Sequence, residues 1–320
     1  MKIGIAPAGS RDAREAVEMA RLAEERGMAE LWLSEDYLER GAFTVAGGVA
    51  AATSRILIGL GVINPWTRHV ALTAMECAAL DELSGGRLVV GVGASNAAWM
   101  EGKLGIPFEK PITRLIEYVE ALGSLLTGEP IDEVVGGQRV RAGLSFPPVR
   151  EGIPVYLGVK GPTALAKATP IADGLMLSIL SSPPYVEWIK QTYAPRATSA
   201  YVLVSYDDDP ETARARVRER TARFLGVHGA TMITEKGGLD AETASAFSDR
   251  LKTGRDATDL LSDEILDAFT VAGSFDDCVR GIRRFADAGL DSLVVMDDGL
   301  GDPASVIDRL SRVTDAAGLE

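Results

Sequence analysis

The amino-acid sequence predicts an α/β chain folded as a single (β/α)8 barrel. Three observations carry that expectation. Strand-like and helical stretches alternate through eight units, the 320 residues suffice for one large barrel, and the glycine fingerprint of an open doubly wound sheet is missing after the first strand. The whole of 1–320 is read as one domain.

Lys2–Ala6 is a short apolar strand, and Arg11–Arg26 then repeats Ala16, Met19, Ala20 and Ala23 at helical spacing before stopping at Gly27. The unit recurs as strand Glu30–Ser34 with helix Ala42–Ala52, and as strand Arg55–Val62 with helix Arg68–Glu82. A fourth strand covers Arg87–Val92. A strong helix runs from Pro111 to Leu126, and Val134–Phe146 sets Gly136-Gly137 between two extended pieces, which predicts a hairpin excursion over about 133–147. The rhythm resumes with strand Val155–Gly158 and helix Pro162–Ala168, strand Gly174–Ser178 and helix Pro184–Tyr193, and strand Ala200–Ser205 and helix Pro210–Leu225. Val227–Leu266 is polar, mixed and helical in places, so it is read as an insertion over about 227–266. Ser274–Ala288, Leu293–Met296 and Pro303–Ala316 complete the eighth unit.

Composition narrows the function. With 46% hydrophobic residues the chain can bury a substantial core. No apolar run approaches the roughly 20 residues that cross a bilayer, and Met1 leads straight into a strand, so a cytoplasmic protein without a membrane partner is expected. A net charge of −13 argues against a nucleic-acid partner, which needs a basic face. Cys77 and Cys278 sit in amphipathic helical patterns and read as buried free thiols. His69 and His228 are the only histidines, with no clustered Cys/His spacing, so no metal site is expected.

Chemistry should gather in the loops after the strands. Glu35 and Asp36 follow the second strand, as site carboxylates or as helix caps. The third strand ends Gly59-Leu60-Gly61-Val62-Ile63-Asn64-Pro65-Trp66-Thr67-Arg68-His69, where glycine permits close approach of a planar ligand and a polar, basic cluster follows; a tight turn before a helix is the other reading. Gly158-Val159-Lys160-Gly161-Pro162-Thr163 ends a strand and opens a helix, offering backbone N–H groups and a cation to an anion, or simply a helix start with proline in its first turn. Trp99, Trp188 and Phe224 could line a cavity or pack the core. Asp207-Asp208-Asp209-Pro210-Glu211 is a capped helix start.

Three of these stretches together resemble the luciferase-like superfamily, and within it the deazaflavin branch of methylenetetrahydromethanopterin reductases and glucose-6-phosphate dehydrogenases. They are Gly61 through His69, Leu80-Asp81-Glu82-Leu83-Ser84-Gly85-Gly86-Arg87 with Gly91-Val92-Gly93, and Gly158 through Pro162, in the right order across nearly the whole barrel. The resemblance implies a cis peptide between Gly61 and Val62 that bulges against the ring of a deazaflavin, coenzyme F420. It places cofactor contacts on Gly61, Val62, Ile63, Asn64, Gly93, Ala94, Ser95 and Asn96, and the cofactor phosphate around Gly158, Val159, Lys160, Gly161 and Pro162, with Lys167 or Arg68 as further cations.

The sequence also departs from that pattern. The branch's acid and histidine after the second strand fall on Glu35 and Asp36, and acids that relatives carry fall on Ala6 and Asn96. An amide carries no proton at neutral pH, so the departures speak against the methanogenic reductase itself. Glu35, Asp36 and His69 remain as candidate proton carriers, His69 alone having an ordinary pKa near neutrality. The expected activity is hydride transfer between the deazaflavin and a small organic substrate by a homodimer. The alternatives are an FMN-dependent luciferase-like monooxygenase and a barrel that binds a cofactor or metabolite without turning it over.

Overall fold

The computed structural model describes residues 1–36 and 38–318; Tyr37, Leu319 and Glu320 lie outside the described residues. The first half of the chain runs β1 (Lys2–Ala6), α1 (Ala13–Glu25), β2 (Glu30–Leu33), α2 (Ala42–Ala52), β3 (Leu57–Ile63), α3 (Val70–Ser84), β4 (Leu88–Gly93), α4 (Ala97–Met100) and α5 (Pro111–Leu126). There follow β5 (Ile131–Val135), β6 (Gln138–Ala142), β7 (Val155–Gly158), α6 (Pro162–Ala168), β8 (Gly174–Leu177), α7 (Pro183–Tyr193), β9 (Thr198–Val202) and β10 (Val204–Tyr206). The last part comprises α8 (Pro210–His228), α9 (Met232–Lys236), α10 (Ala241–Lys252), α11 (Asp263–Phe269), β11 (Val271–Gly273), α12 (Phe275–Asp287), β12 (Ser292–Met296) and α13 (Pro303–Ala316).

Eight parallel strands close a barrel in the order β1-β2-β3-β4-β7-β8-β9-β12, with β12 returning to β1. This is the predicted (β/α)8 architecture. Local signals start and stop its helices: Asp12 and Glu15 form a reciprocal cap on α1, and Gly85, at φ 70°, ends α3 in the left-handed region. Inside the barrel, large aromatics occupy space that neighbouring strands leave by carrying glycine. A Cβ on Gly59 would lie 2.2 Å from the Trp32 ring, and one on Gly174 2.5 Å from that of Tyr156; the two rings pack with centroids 5.8 Å apart.

Three elements differ from the sequence reading. The stretch expected as one strand, Ala200–Ser205, is two: β9 stays in the barrel, whereas β10 leaves it to pair with β11. Both are apolar, so hydropathy does not mark where the pairing partner changes. The hairpin opens at Ile131 and closes at Ala142, around Gly136 and Gly137 at φ 59° and 82°. Helix α8 runs on to His228, one turn past the expected end, because Leu225, Gly226 and His228 are all buried. No helix among the described residues is long and apolar enough to cross a membrane.

Candidate active site

At the carboxyl ends of β3, β4, β7, β8 and β9 the barrel opens into a cavity of about 530 Å³. Its walls include Gly61, Val62, Gly93, Ala94, Ser95, Asn96, Gly158, Val159 and Lys160, so most of the predicted cofactor contacts converge here. A second cavity of about 250 Å³ shares Gly61, Val62, Gly93, Ser95 and Asn96 with the first and adds Ser34, Glu35, Asp36, Asn64 and Trp99. Val62 thus stands at the junction of the two. The Gly61–Val62 peptide is cis, and the β3–β4 register shifts between Leu60 and Ile63.

Glycine at three neighbouring positions makes room for Val62. A Cβ on Gly93 would come 2.6 Å from Val62 Cγ2, one on Gly158 3.1 Å from Cγ1, and one on Gly91 3.0 Å from Cγ1. Tyr201, projecting from β9, donates its hydroxyl to the Gly61 carbonyl at 2.6 Å. Burial drives the Tyr201 phenol far above its ordinary pKa, so it stays a neutral donor. Sequence reasoning missed this residue, along with Phe108, Ile112 and Met176 on the apolar wall; nothing local in their sequence distinguishes them from core.

The remaining predicted residues are placed as follows. Ile63 is fully buried behind the bulge. Asn64 Oδ1 accepts from the backbone N–H groups of Trp66 and Thr67 at 2.9 and 3.1 Å, fixing the turn, and Asn96 caps α4 by accepting from Trp99 N at 3.1 Å. Gly161 and Pro162 lie at the start of α6, behind Lys160, outside the cavity lining. His69 lies apart from both cavities, beside a recess of about 240 Å³ between α5 and the hairpin. Its Nδ1 accepts from Ala71 N at 3.3 Å and caps α3. Trp188 packs on Tyr185 and Tyr193 and is not in the lining of either cavity at the strand ends.

The two acids after β2 differ. Glu35 is held by a two-pronged ion pair to Arg68, whose Nε and Nη2 approach its oxygens at 2.9 and 2.5 Å. Arg68 also reaches Glu76 at 2.8 Å, and these carboxylates raise its pKa, the Glu35 hydrogen bonds first. Arg68 is therefore committed and is no spare cation for a phosphate. Among the described residues Asp36 has no such clamp. It borders the second cavity with its surface open to that space, yet protein crowds it from most directions, and this loss of solvation, with Glu39 nearby, raises its pKa against the pull of Arg220 and Arg223.

Lys160 is in the same position: open to the main cavity, but surrounded closely enough that burial lowers its pKa. It is the only charged side chain lining that cavity among the described residues. Nearby, His228 is buried, its Nε2 2.8 Å from the Ile179 carbonyl. Burial first, and Lys160 second, depress its pKa to about 3, which keeps it neutral and out of proton transfer at ordinary pH.

A volume of this size with Val62, Ala94, Phe108, Ile112 and Met176 around a glycine floor suits a flat, largely apolar ring, and Lys160 suits an anionic tail. The residues present therefore fit a flavin-like cofactor. Among the described residues no group of three His, Cys, Asp or Glu side chains could hold a metal ion.

Comparison with known proteins agrees with the architecture. The family model described as luciferase-like monooxygenase matches residues 2–292. A 5,10-methylenetetrahydromethanopterin reductase of Archaeoglobus fulgidus is 30% identical over 314 residues, covering 92% of each chain. An F420-dependent glucose-6-phosphate dehydrogenase of Nocardia farcinica is 29% identical, covering 88% of this chain and 87% of its own. The coenzyme F420 dependent tetrahydromethanopterin reductase of Methanopyrus kandleri superposes with a TM-score of 0.80 at 25% identity, over 98% of both chains.

Proposed function

The chain belongs to the luciferase-like monooxygenase family, and from that premise we propose that it is an oxidoreductase passing a hydride between a deazaflavin, coenzyme F420, and a small organic substrate. The observation that carries this reading is the apolar, glycine-floored cavity with Lys160 as its one charged wall among the described residues. The deazaflavin, when bound, supplies or takes the hydride. Val62, Ala94, Ile112 and Met176 would hold its ring and exclude water, and Lys160 would hold its anionic part. Tyr201 steadies the β3 end through the Gly61 carbonyl.

Asp36 would hold or move the substrate's proton, since Glu35 is bound to Arg68 and His69 caps α3. Deazaflavin is preferred to FMN because relatives spanning most of this chain are named for coenzyme F420. A titration followed by cofactor absorbance tests the choice: saturation by F420 and none by FMN is expected, and the reverse overturns it. Lys160→Ala should weaken F420 binding about tenfold at low salt; unchanged affinity would remove Lys160 from the site. Hydride transfer across a substrate panel separates an enzyme from a barrel that only binds.

The same reading takes 1–320 as one domain from which the hairpin near 133–147 and the helical segment near 227–266 depart, working in the cytoplasm as a homodimer. Support for the dimer is the outward face of α3, where Leu72, Met75 and Leu83 are 57, 48 and 56% exposed, beside the small-residue helix α2. A monomer in light scattering at micromolar concentration would overturn it.

A further inference from the structure

The mouth of the barrel above β12, β1 and β2 holds two cations that the hydride-transfer reading leaves without a task. Arg220 and Arg223 are three residues apart on α8 and so share a face of that helix. Arg220 is half-buried, and its one hydrogen bond to protein among the described residues runs from Nη1 to the Asp297 backbone carbonyl at 2.8 Å. A carbonyl oxygen does not neutralise a guanidinium, and a cation drawn out of water without a close carboxylate is costly. Burial lowers its pKa accordingly.

Three acids lie close enough to act on Arg220, and among the described residues none of them forms an ion pair with it. Asp297 is completely buried and its carboxylate is taken by Arg11. Asp298 accepts from Leu300 N at 2.8 Å to make a turn. Asp36, the third acid close enough to act on Arg220, makes no hydrogen bond to it among the described residues, and burial raises its pKa. Beneath them β1 ends in Ala6, which offers a methyl group only. The chain thus presents two guanidinium groups one helical turn apart, Arg220 at the carboxyl end of β12 and both near Asp36, and among the described residues neither is in an ion pair.

We propose that Arg220 and Arg223 are the specificity element of the substrate site, and that the substrate carries an anionic group, a carboxylate or a phosphate, which docks on them while its reacting end enters the cavity between Asp36 and Val62. This rests on reading the neighbouring cavity as the deazaflavin site. A guanidinium matches either anion with two parallel hydrogen bonds, which an ammonium does not. The two chemistries are separated by the probes used.

The test titrates the F420-loaded protein with inorganic phosphate and with acetate at constant ionic strength, chloride serving as control, followed by calorimetry and by the cofactor's absorbance. Saturable binding of one of the two anions is expected; phosphate preference assigns a phosphate ester, acetate preference a carboxylic acid. Arg220→Gln should weaken that binding about tenfold or more, Arg223→Gln less, and Arg220→Lys should restore part of it. Affinity for F420 should change less than about twofold in all three, because neither arginine lines the main cavity. Absence of saturable binding to the wild type, or wild-type affinity in both Arg220→Gln and Arg223→Gln, overturns the proposal. Arg223 is exposed, so its variant remains informative if Arg220→Gln unfolds. Failure of F420 to bind would sink the cofactor reading alone, since calorimetry with the unloaded protein still reads the anion.

Discussion

Over β3, β4, β7 and β8 the mouth of the barrel is walled by glycine backbone and apolar side chains with one lysine, whereas over β12, β1 and β2 it is knitted by charge. On the first side, shape is set by what is missing: the Cβ atoms of Gly91, Gly93 and Gly158 would each crowd Val62. On the second side, Arg11 grips both Asp297 oxygens and the carbonyls of Leu300 and Gly301, closing the seam between the first and last strands. The contrast teaches a division of labour. Packing of this kind tolerates no added atom and suits the flat cofactor proposed there, whereas charge tolerates small movements and suits the proposed docking of a substrate.

Arg11→Ala strikes the charged side hardest. It leaves the buried Asp297 carboxylate without its cation, and breaking such a pair costs about 3–5 kcal/mol. A large fall in denaturant midpoint is expected, with F420 affinity retained in the molecules that stay folded. A variant as stable as the wild type would mean that the seam is held by β12–β1 pairing alone.

Asp36→Asn comes next and acts on rate. Loss of the proton carrier should lower kcat about a hundredfold with little change in F420 affinity. In the direction that reduces substrate the protonated acid is the active form, so wild-type turnover falls as pH rises through the raised Asp36 pKa, and that limb disappears in the variant. Stability has its own sign. Because the folded pKa lies above the unfolded one, the folded state binds more protons between them, and stability declines as pH rises across that window. Asp36→Asn should therefore be at least as stable as wild type at neutral pH, and lose that advantage in acid. A matching pH limb in wild type and variant would clear Asp36 of the role.

Gly93→Ala tests the packed side. Its methyl would sit 2.6 Å from Val62 Cγ2 and 3.3 Å from the Gly158 carbonyl, so Val62 must shift into the cavity. Overpacking of this kind costs about 1–3 kcal/mol, and F420 affinity should fall about tenfold while the charged rim still binds its anion. Unchanged affinity would show that the cofactor does not rest on this floor.

The two sides were also unequally legible in the sequence. Glycines at strand ends announced the packed side, since Gly61, Gly93 and Gly158 each follow an apolar run, and the resemblance supplied their common purpose. The alternation of strands and helices carried the barrel for the same local reason. What escaped was long-range. Tyr201 meets Gly61 across 140 residues, and Arg11 meets Asp297 across 286; neither pairing leaves a trace in spacing. In sequence Arg68 reads as a further cation for a phosphate, but Glu35, distant in the chain, and Glu76 hold it. The β9–β10 break was hidden because a strand's hydropathy records that it is covered, not which strand covers it.

His69→Ala is the smallest expected effect and the sharpest check on where proton chemistry resides. An imidazole is by residue type a natural acid or base, and the place of His69 just after the strand-end motif invites that role. Its contacts assign another. It occupies the N-cap position of α3, its Nδ1 accepts a backbone N–H from Ala71 at 3.3 Å, and it borders a recess that shares no residue with either cavity at the strand ends. Losing a long capping bond of this kind should lower stability by about 0.5–1 kcal/mol. Turnover, its pH profile and F420 affinity should all stay at wild-type values, because the ring reaches neither Val62 nor Asp36. A fall in kcat beyond what the change in folded fraction explains would move the proton carrier from β2 to the β3–α3 loop, and the charged rim would then lose its claim to be the substrate side.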